Sequence, residues 1–219
     1  MLLKTEMHCH VKGDPVDKIK YSAKELILLA AKLKYEVMSI TPHLKTYSNE
    51  EMIRFAKENN ILLISGKEAK IQGKEVLIYD YTGEINKLEE LDKVQQENGL
   101  VIAPHPFFVM PSCLGRKLEK NINNFDAIEY CHFYSKKINF NRKAEILAKK
   151  YNKPMIGTSD AHNLYEFGAT YSILDCEKDK DSVLEAIRKN KIRIITKPMT
   201  TFLFTRRLIS CFIPNFLRF

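Results

Sequence analysis

Leu2-Leu3-Lys4-Thr5-Glu6-Met7-His8-Cys9-His10 opens the chain with a short apolar strand that runs straight into two histidines. The pairing of an apolar strand with a histidine or an acid just past its end recurs along the sequence. It is predicted at Glu36–Thr41 before His43, Ile61–Ser65 before Glu68, Leu100–Ala103 before His105, Ala127–Cys131 before His132, and Pro154–Thr158 before Asp160 and His162. Amphipathic stretches lie between these strands. Ser22 with Glu25 forms a capping-box pattern ahead of Leu26, Leu29, Ala30 and Leu33, and Ser48 with Glu51 suggests a second box before Met52, Ile53 and Phe55. Further helices are expected at 86–98, 139–151 and 181–189. Alternating residues around Gln72-Gly73 suggest a hairpin of Glu68–Ile71 with Glu75–Tyr79, and strands at Thr170–Leu174 and Ile192–Ile195 complete the series. Six or seven strands alternating with helices predict an α/β parallel sheet, which at this length suits a small or distorted barrel, an open doubly wound sheet being the alternative.

The composition fits one soluble domain: 219 residues, 45% apolar and 28% charged. The formal charge of +8 favours anionic partners, but the lysines are spread through the helices and form no single basic run. The N-terminus has no signal-peptide core and no apolar run is long enough for a membrane span, so a cytoplasmic location is expected. Five cysteines without a CxxC pair indicate neither a disulfide framework nor a zinc finger. Cys9 and Cys131 stand beside histidines, but on a strand their side chains point away from those neighbours, and core thiols are expected.

The chain has six histidines, at positions 8, 10, 43, 105, 132 and 162, all at predicted strand C-termini. In a parallel α/β protein those ends open onto one face, where active sites are built. His8-Cys9-His10 on extended backbone directs both imidazoles to one side, and Asp160-Ala161-His162 repeats this geometry with a carboxylate. Six imidazoles with two or three carboxylates exceed the needs of one ion and suffice for two or three. Zn²⁺, Mn²⁺ or Fe²⁺ would accept this ligand mix. Such a cluster can clamp a phosphate and lower the pKa of a bound water.

These residues resemble the PHP (polymerase and histidinol phosphatase) domain family of metal-dependent phosphoesterases. The resemblance rests on His8-Cys9-His10, Ser39-Ile40-Thr41-Pro42-His43, Gly66-Lys67-Glu68, Ala103-Pro104-His105-Pro106, Ile128-Glu129-Tyr130-Cys131-His132 and Gly157-Thr158-Ser159-Asp160-Ala161-His162, in the family's order. It implies a distorted (βα)7 TIM-like barrel with its metal site at the strand C-termini. It also implies that His8, His10, Glu68 and Asp160 hold one ion, that Glu68 bridges to a second held by His105 and His132, and that His43 and His162 hold a third. An acid after the first motif is expected to join them, Asp17 in preference to Asp14. Thr41-Pro42-His43 lacks the acid that usually precedes this histidine, which implies a weaker third site.

The expected function is hydrolysis of a phosphomonoester or nucleotide-type ester, with Asp160, Glu68 and His162 at the chemistry and Lys70, Arg116 and Lys117 as candidates for substrate charge. A small phosphorylated substrate is the expected partner; no RNP-like or helix-turn-helix pattern supports dedicated nucleic-acid binding. The rivals are an amidohydrolase or TatD-like metal hydrolase, against which His43 and His162 argue, and a non-hydrolytic PHP-like module of a protein or RNA assembly, against which the retained ligand set argues. The sequence divides into a domain at 1–199 and a basic-aromatic tail at 200–219, with five of the twelve phenylalanines and no acid. Docking of this tail on the domain or a second copy is expected over membrane binding. Vesicle co-sedimentation of the full chain should therefore give no lipid-bound fraction, and recovery in the pellet that is lost on truncation at 199 would reverse this reading.

Overall fold

Apolar strands that must bury both faces, joined by helices with one apolar stripe, leave a wrapped sheet as the economical arrangement. The computed structural model describes residues 1–212 and has this form. Its described residues contain the strands β1 (Leu2–Glu6), β2 (Val37–Ile40), β3 (Leu62–Ile71), β4 (Lys74–Tyr79), β5 (Leu100–Ala103), β6 (Ala127–Cys131), β7 (Met155–Thr158), β8 (Thr170–Asp175) and β9 (Ile192–Thr196). The helices are α1 (Ala23–Lys32), α2 (Glu50–Glu58), α3 (Asp92–Gln96), α4 (Arg116–Lys120), α5 (Asn141–Tyr151), α6 (Lys180–Arg188) and α7 (Thr201–Phe212).

The strand order is β7-β6-β5-β4-β3-β2-β1-β8-β9. Pairing is parallel at β1–β2, β2–β3, β5–β6 and β6–β7, and antiparallel at β3–β4, β4–β5, β1–β8 and β8–β9. The distorted α/β barrel is thus found, with nine described strands where seven were expected, because β4 and β8 run against the rest. The end strand β7 closes onto the β8–β9 pair, with Gly157 meeting Ser172 of β8. The Gly157 amide donates to Ser172 Oγ at 2.8 Å, and that hydroxyl donates to the Gly157 carbonyl at 3.1 Å. A side chain on residue 157 would lie 2.7 Å from Ile194 Cγ2 and 3.0 Å from the Tyr171 carbonyl, so the close approach requires glycine.

Leu3, Val37, Ile64, Leu77, Tyr79, Leu100, Ile102, Ala127 and Ile156 fill the barrel, and α6 adds Val183, Leu184 and Ile187. The Arg188 side chain at the end of α6 donates to the carbonyls of Asn98 and Gly99 just before β5, so α6 closes the end opposite the histidines. Outside, α1 and α2 pack through Leu26, Ile27, Ala30, Met52 and Ala56 against Met38, Ile40 and Leu63, while Leu118, Ala144, Leu147 and Ala148 cover the β4–β6 side.

Local differences from the sequence reading have simple causes. The Ser22–Glu25 box is present, but α2 is capped by Asn49, which accepts from the Met52 amide at 3.1 Å, and Glu51 pairs instead with Lys24. The strand at 61–65 and the first hairpin strand form one ten-residue strand, β3, so Glu68 lies within it and not after it. The helix expected at 86–98 is a 3-10 turn at Leu88–Glu90 followed by the short α3. Cys9, Cys113 and Cys131 are buried free thiols. Among the described residues no helix is long and apolar enough to cross a membrane.

The first part of the tail, residues 201–212, is helix α7, and it docks on the domain. The Met199 amide donates to the Tyr134 carbonyl at 2.8 Å, and Phe204, 4% exposed, stacks with Phe140 at 6.3 Å. Pro214, Phe216 and Phe219, which also shaped the reading of the tail, lie outside the described residues. Gly157→Ala should strain the barrel seam by about 1–3 kcal/mol, the usual cost of overpacking. Urea unfolding should show a lowered midpoint at unchanged slope; an unchanged midpoint would mean that the seam has slack.

Candidate metal centre

Two isolated β-bridges align the site. Cys9 bridges to Ala161, with the His10 amide donating to the Ala161 carbonyl at 3.2 Å, which sets His8 and His10 beside Asp160 and His162. His43 bridges to Glu68 in parallel register. Two site residues have positive φ, Asp160 at +43° and His105 at +24°, a region that non-glycine residues avoid.

Four donor atoms converge at the centre. His8 Nε2 and His10 Nε2 are 3.3 Å apart, each is 3.4 Å from Glu68 Oε2, and they lie 3.2 and 3.1 Å from Asp160 Oδ1. Four ligands about 2.0–2.1 Å from a tetrahedral ion are separated by about 3.3–3.4 Å, so these spacings suit a metal cage. Glu68 extends the cluster in two directions. Its Oε2 is 3.2 Å from His43 Nε2, and its Oε1 is 3.3 Å from His105 Nε2. His105 Nε2 also lies 3.7 Å from Asp160 Oδ2. At the rim, Asp17 Oδ2 is 3.0 Å from His162 Nε2 and 3.9 Å from His43 Nε2.

Behind this layer, the Nδ1 atoms meet partners of their own. His8 Nδ1 is 2.7 Å from Glu129 Oε1, His10 Nδ1 is 2.9 Å from Asp14 Oδ2, and His43 Nδ1 is 3.1 Å from Asp14 Oδ1. His162 Nδ1 is 2.9 Å from the Asp160 carbonyl, and His105 Nδ1 is 3.4 Å from Cys113 Sγ. A carboxylate or carbonyl at Nδ1 calls for an N–H there and leaves the Nε2 lone pair facing the centre. The buried His132 Nε2 has no hydrogen-bond partner, and Glu68 Oε1 meets His105 Nε2 at 3.3 Å in an ion-pair contact outside hydrogen-bond geometry. Buried polar atoms left this way are costly unless something else satisfies them, and an imidazole nitrogen and a carboxylate oxygen are both good ligands for a divalent ion.

The electrostatics point the same way. Burial opposes charge on His8, but Asp160, Glu129 and Glu68 outweigh it and hold the imidazole up at about 10. His10 and His105 are likewise raised against burial, His10 by Asp14, Asp160 and Glu68. Asp160 is held well below the usual carboxylate range despite burial, chiefly by His8 and His162. The cage therefore demands positive charge, which protons or metal ions can supply. His132 differs, since burial pushes it down to about 4 and leaves it neutral. Its ring leans on Phe133 at 4.3 Å.

Two sequence expectations change in detail. Asp17 faces the Nε2 atoms of His43 and His162, while Asp14, its side chain buried, sits behind His10 and His43 and also accepts from the His43 amide at 3.0 Å. Asp14 thus supplies a carboxylate behind His43 where Pro42 has none to offer. Lys70, Arg116 and Lys117 do not line the cleft over the histidines; Lys70 lines a separate depression with Lys67 and Thr82.

Several buried groups escaped the sequence reading. Glu129 accepts from His8 Nδ1, the His105 amide and the Thr158 hydroxyl. Glu6, pushed up to about 8 by burial, accepts from the amides of His8 and Ser159. Glu166 accepts from the amides of His162 and Asn163. The signal for Glu6 and Glu129 was a lone acid inside an apolar strand, a position tolerated only when the carboxylate is paired. Arg207 of α7 also lines the cleft, which encloses about 150 Å³ with Asp17, His43, Glu68, His105, Asp160 and His162 on its walls.

Comparisons with known proteins agree with this architecture. A family model described as PHP-associated matches residues 139–192. The chain is 25% identical over 128 residues to an uncharacterized protein of Methanocaldococcus jannaschii, covering 53% of this chain and 75% of that one. Among solved structures, it superposes with a TM-score of 0.65 at 15% identity on a two-domain protein of Bacteroides vulgatus containing a predicted PHP-like metal-dependent phosphoesterase, covering 96% of this chain and 70% of that one. It also matches the lesion-specific endonuclease EndoQ of Pyrococcus furiosus with a TM-score of 0.62 at 12% identity, covering 89% of this chain and 58% of that one.

Glu129→Gln keeps the shape but removes the charge behind His8, and metal affinity should fall by about 10–100-fold, as for other outer partners of ligating histidines. Titration of the folded variant with Zn²⁺ checks this; an unchanged affinity would show that Glu129 only fills space.

Proposed function

We propose that this chain, a PHP-type barrel by its fold and its ordered motifs, is a metal-dependent phosphoesterase acting on a phosphomonoester or nucleotide-type phosphate ester. The observation that carries the reading is the convergence of the His8 and His10 Nε2 atoms with Glu68 Oε2 and Asp160 Oδ1, each carboxylate oxygen lying 3.1–3.4 Å from both imidazole nitrogens. His8, His10, Glu68 and Asp160 would hold one ion, Glu68 with His105 and His132 a second, and His43, His162 and Asp17 a third. Zinc, manganese and iron all suit this set. Divalent ions at such a site polarise a phosphoryl oxygen and bring a bound water's pKa toward neutrality.

The remaining work falls to the side chains. Glu68 reaches four imidazoles through its two oxygens and couples the three groups of ligands. Asp160, held ionised, keeps the centre anionic and so retains cations there. Glu129 and Asp14 fix the tautomers of His8, His10 and His43, which keeps every Nε2 lone pair turned inward. His162 and Asp17 stand at the mouth, where the alcohol would depart. Phe108, Met110 and Phe133 form an apolar part of the cleft wall beside the face the phosphoryl group would approach.

The experiment is a screen of phosphomonoesters against diesters with Mn²⁺ added, repeated after chelation. Hydrolysis should require metal, and His8→Ala or Asp160→Asn should abolish it while the far-ultraviolet circular dichroism stays native. Turnover that survives either substitution would sink the assignment.

A further inference from the structure

We infer that Arg207, carried into the cleft by the C-terminal helix α7, binds the phosphoryl oxygens of the substrate, so that the tail of the chain shares anion recognition with the metal site of the barrel. The inference rests on the phosphoesterase reading above and identifies the residue that reads the substrate's charge. It begins from a deficit. The charged side chains lining the cleft are the acids Asp17, Glu68, Glu75 and Asp160, and among the described lining residues Arg207 is the one lysine or arginine. A phosphate dianion entering such a cleft meets carboxylate repulsion wherever metal charge does not reach. A guanidinium at the wall offsets this, and its planar fork of N–H donors matches two phosphate oxygens at once.

The helix is built to hold Arg207 in place. Phe204 is buried and stacks with Phe140, and Leu208 packs against the cluster of Phe108, Cys113, Cys131 and Phe133. Phe202, 75% exposed, and Ile209, 54% exposed, lie on the outer face. The inward positions 204, 207 and 208 follow helical spacing, so docking of the apolar residues fixes where the arginine points. Its guanidinium carbon sits 4.7 Å from the centre of the Phe133 ring. Glu166, which anchors the His162 loop, feels the same positive charge and is held below the usual carboxylate range against burial. Stacking on Phe133 holds the plane of the guanidinium. The cation thus stands within the wall that also carries His162, at the mouth of the proposed metal cluster.

The test measures binding of inorganic phosphate to the full Mn²⁺-loaded chain by calorimetry, with elemental analysis of the same samples. Arg207→Ala should weaken phosphate binding by about 10–100-fold, the range of a lost charge-assisted pair, at unchanged metal content. Arg207→Lys should retain part of the affinity, and free guanidinium ion should restore part of it to Arg207→Ala. Phe202→Ser, on the outer face of the same helix, should bind phosphate as the wild type does. Unchanged phosphate affinity in Arg207→Ala overturns the inference. So does a parallel loss of metal in that variant, which would make Arg207 a support of the metal cage, or an equal loss in Phe202→Ser, which would assign the effect to helix cover. A wild-type chain that holds no metal fails the phosphoesterase reading itself, and the inference falls with it.

Discussion

The Glu68 carboxylate, 2% exposed at the meeting point of four imidazoles, is the constraint on which the rest of the structure depends. An ionised carboxylate out of water costs several kcal/mol unless opposite charge surrounds it. His8, His10, His43 and His105 can supply that charge, but only if their own outer nitrogens are held. Glu129 and Asp14 meet that need for three of them, and those acids in turn take backbone amides and the Thr158 hydroxyl. The result is a shell of alternating charge in which each layer makes the next tolerable. No member of it is stable alone in an apolar barrel, which is why donors from five strands must arrive together.

The barrel supplies that coincidence. Parallel strands end on one face, and the reversed strands β4 and β8 leave the ends of the site-bearing strands on that face. The Cys9–Ala161 bridge carries the register past the strand ends, and the His43–Glu68 bridge ties the loop after β2 to β3. The strained backbone at His105 and Asp160 is affordable because this shell determines both positions from several sides.

Much of this was legible in the sequence, for a physical reason. His8, His10, His43, His105, His132, Asp160 and His162 all follow short apolar strands, and the period-2 rule makes such strands easy to read. The convergence of His8, His10, His43, His105, Asp160 and His162 required only that the strands be parallel. The supporting acids were harder to see. Glu6 and Glu129 lie inside strands, where their partners are set by burial and not by spacing, and Asp14 and Asp17 share a loop in which only three-dimensional placement tells the inner from the outer acid. The cap of α2 went to Asn49 in place of Ser48 because two good capping residues adjoin, and local pattern alone does not choose between them. Arg207 gave no signal at all. Its position depends on how Phe204 and Leu208 dock, a tertiary fact that helical spacing can explain but not foresee.

The central claim is that the charge demanded by this shell is met by metal ions. Native mass spectrometry of the chain, expressed with Zn²⁺ or Mn²⁺ supplied and measured before and after chelation, tests it most directly. The account predicts a folded species heavier than the bare chain by two or three divalent ions, with the increments lost on chelation. A folded chain that carries no such increment under any of these conditions would contradict it.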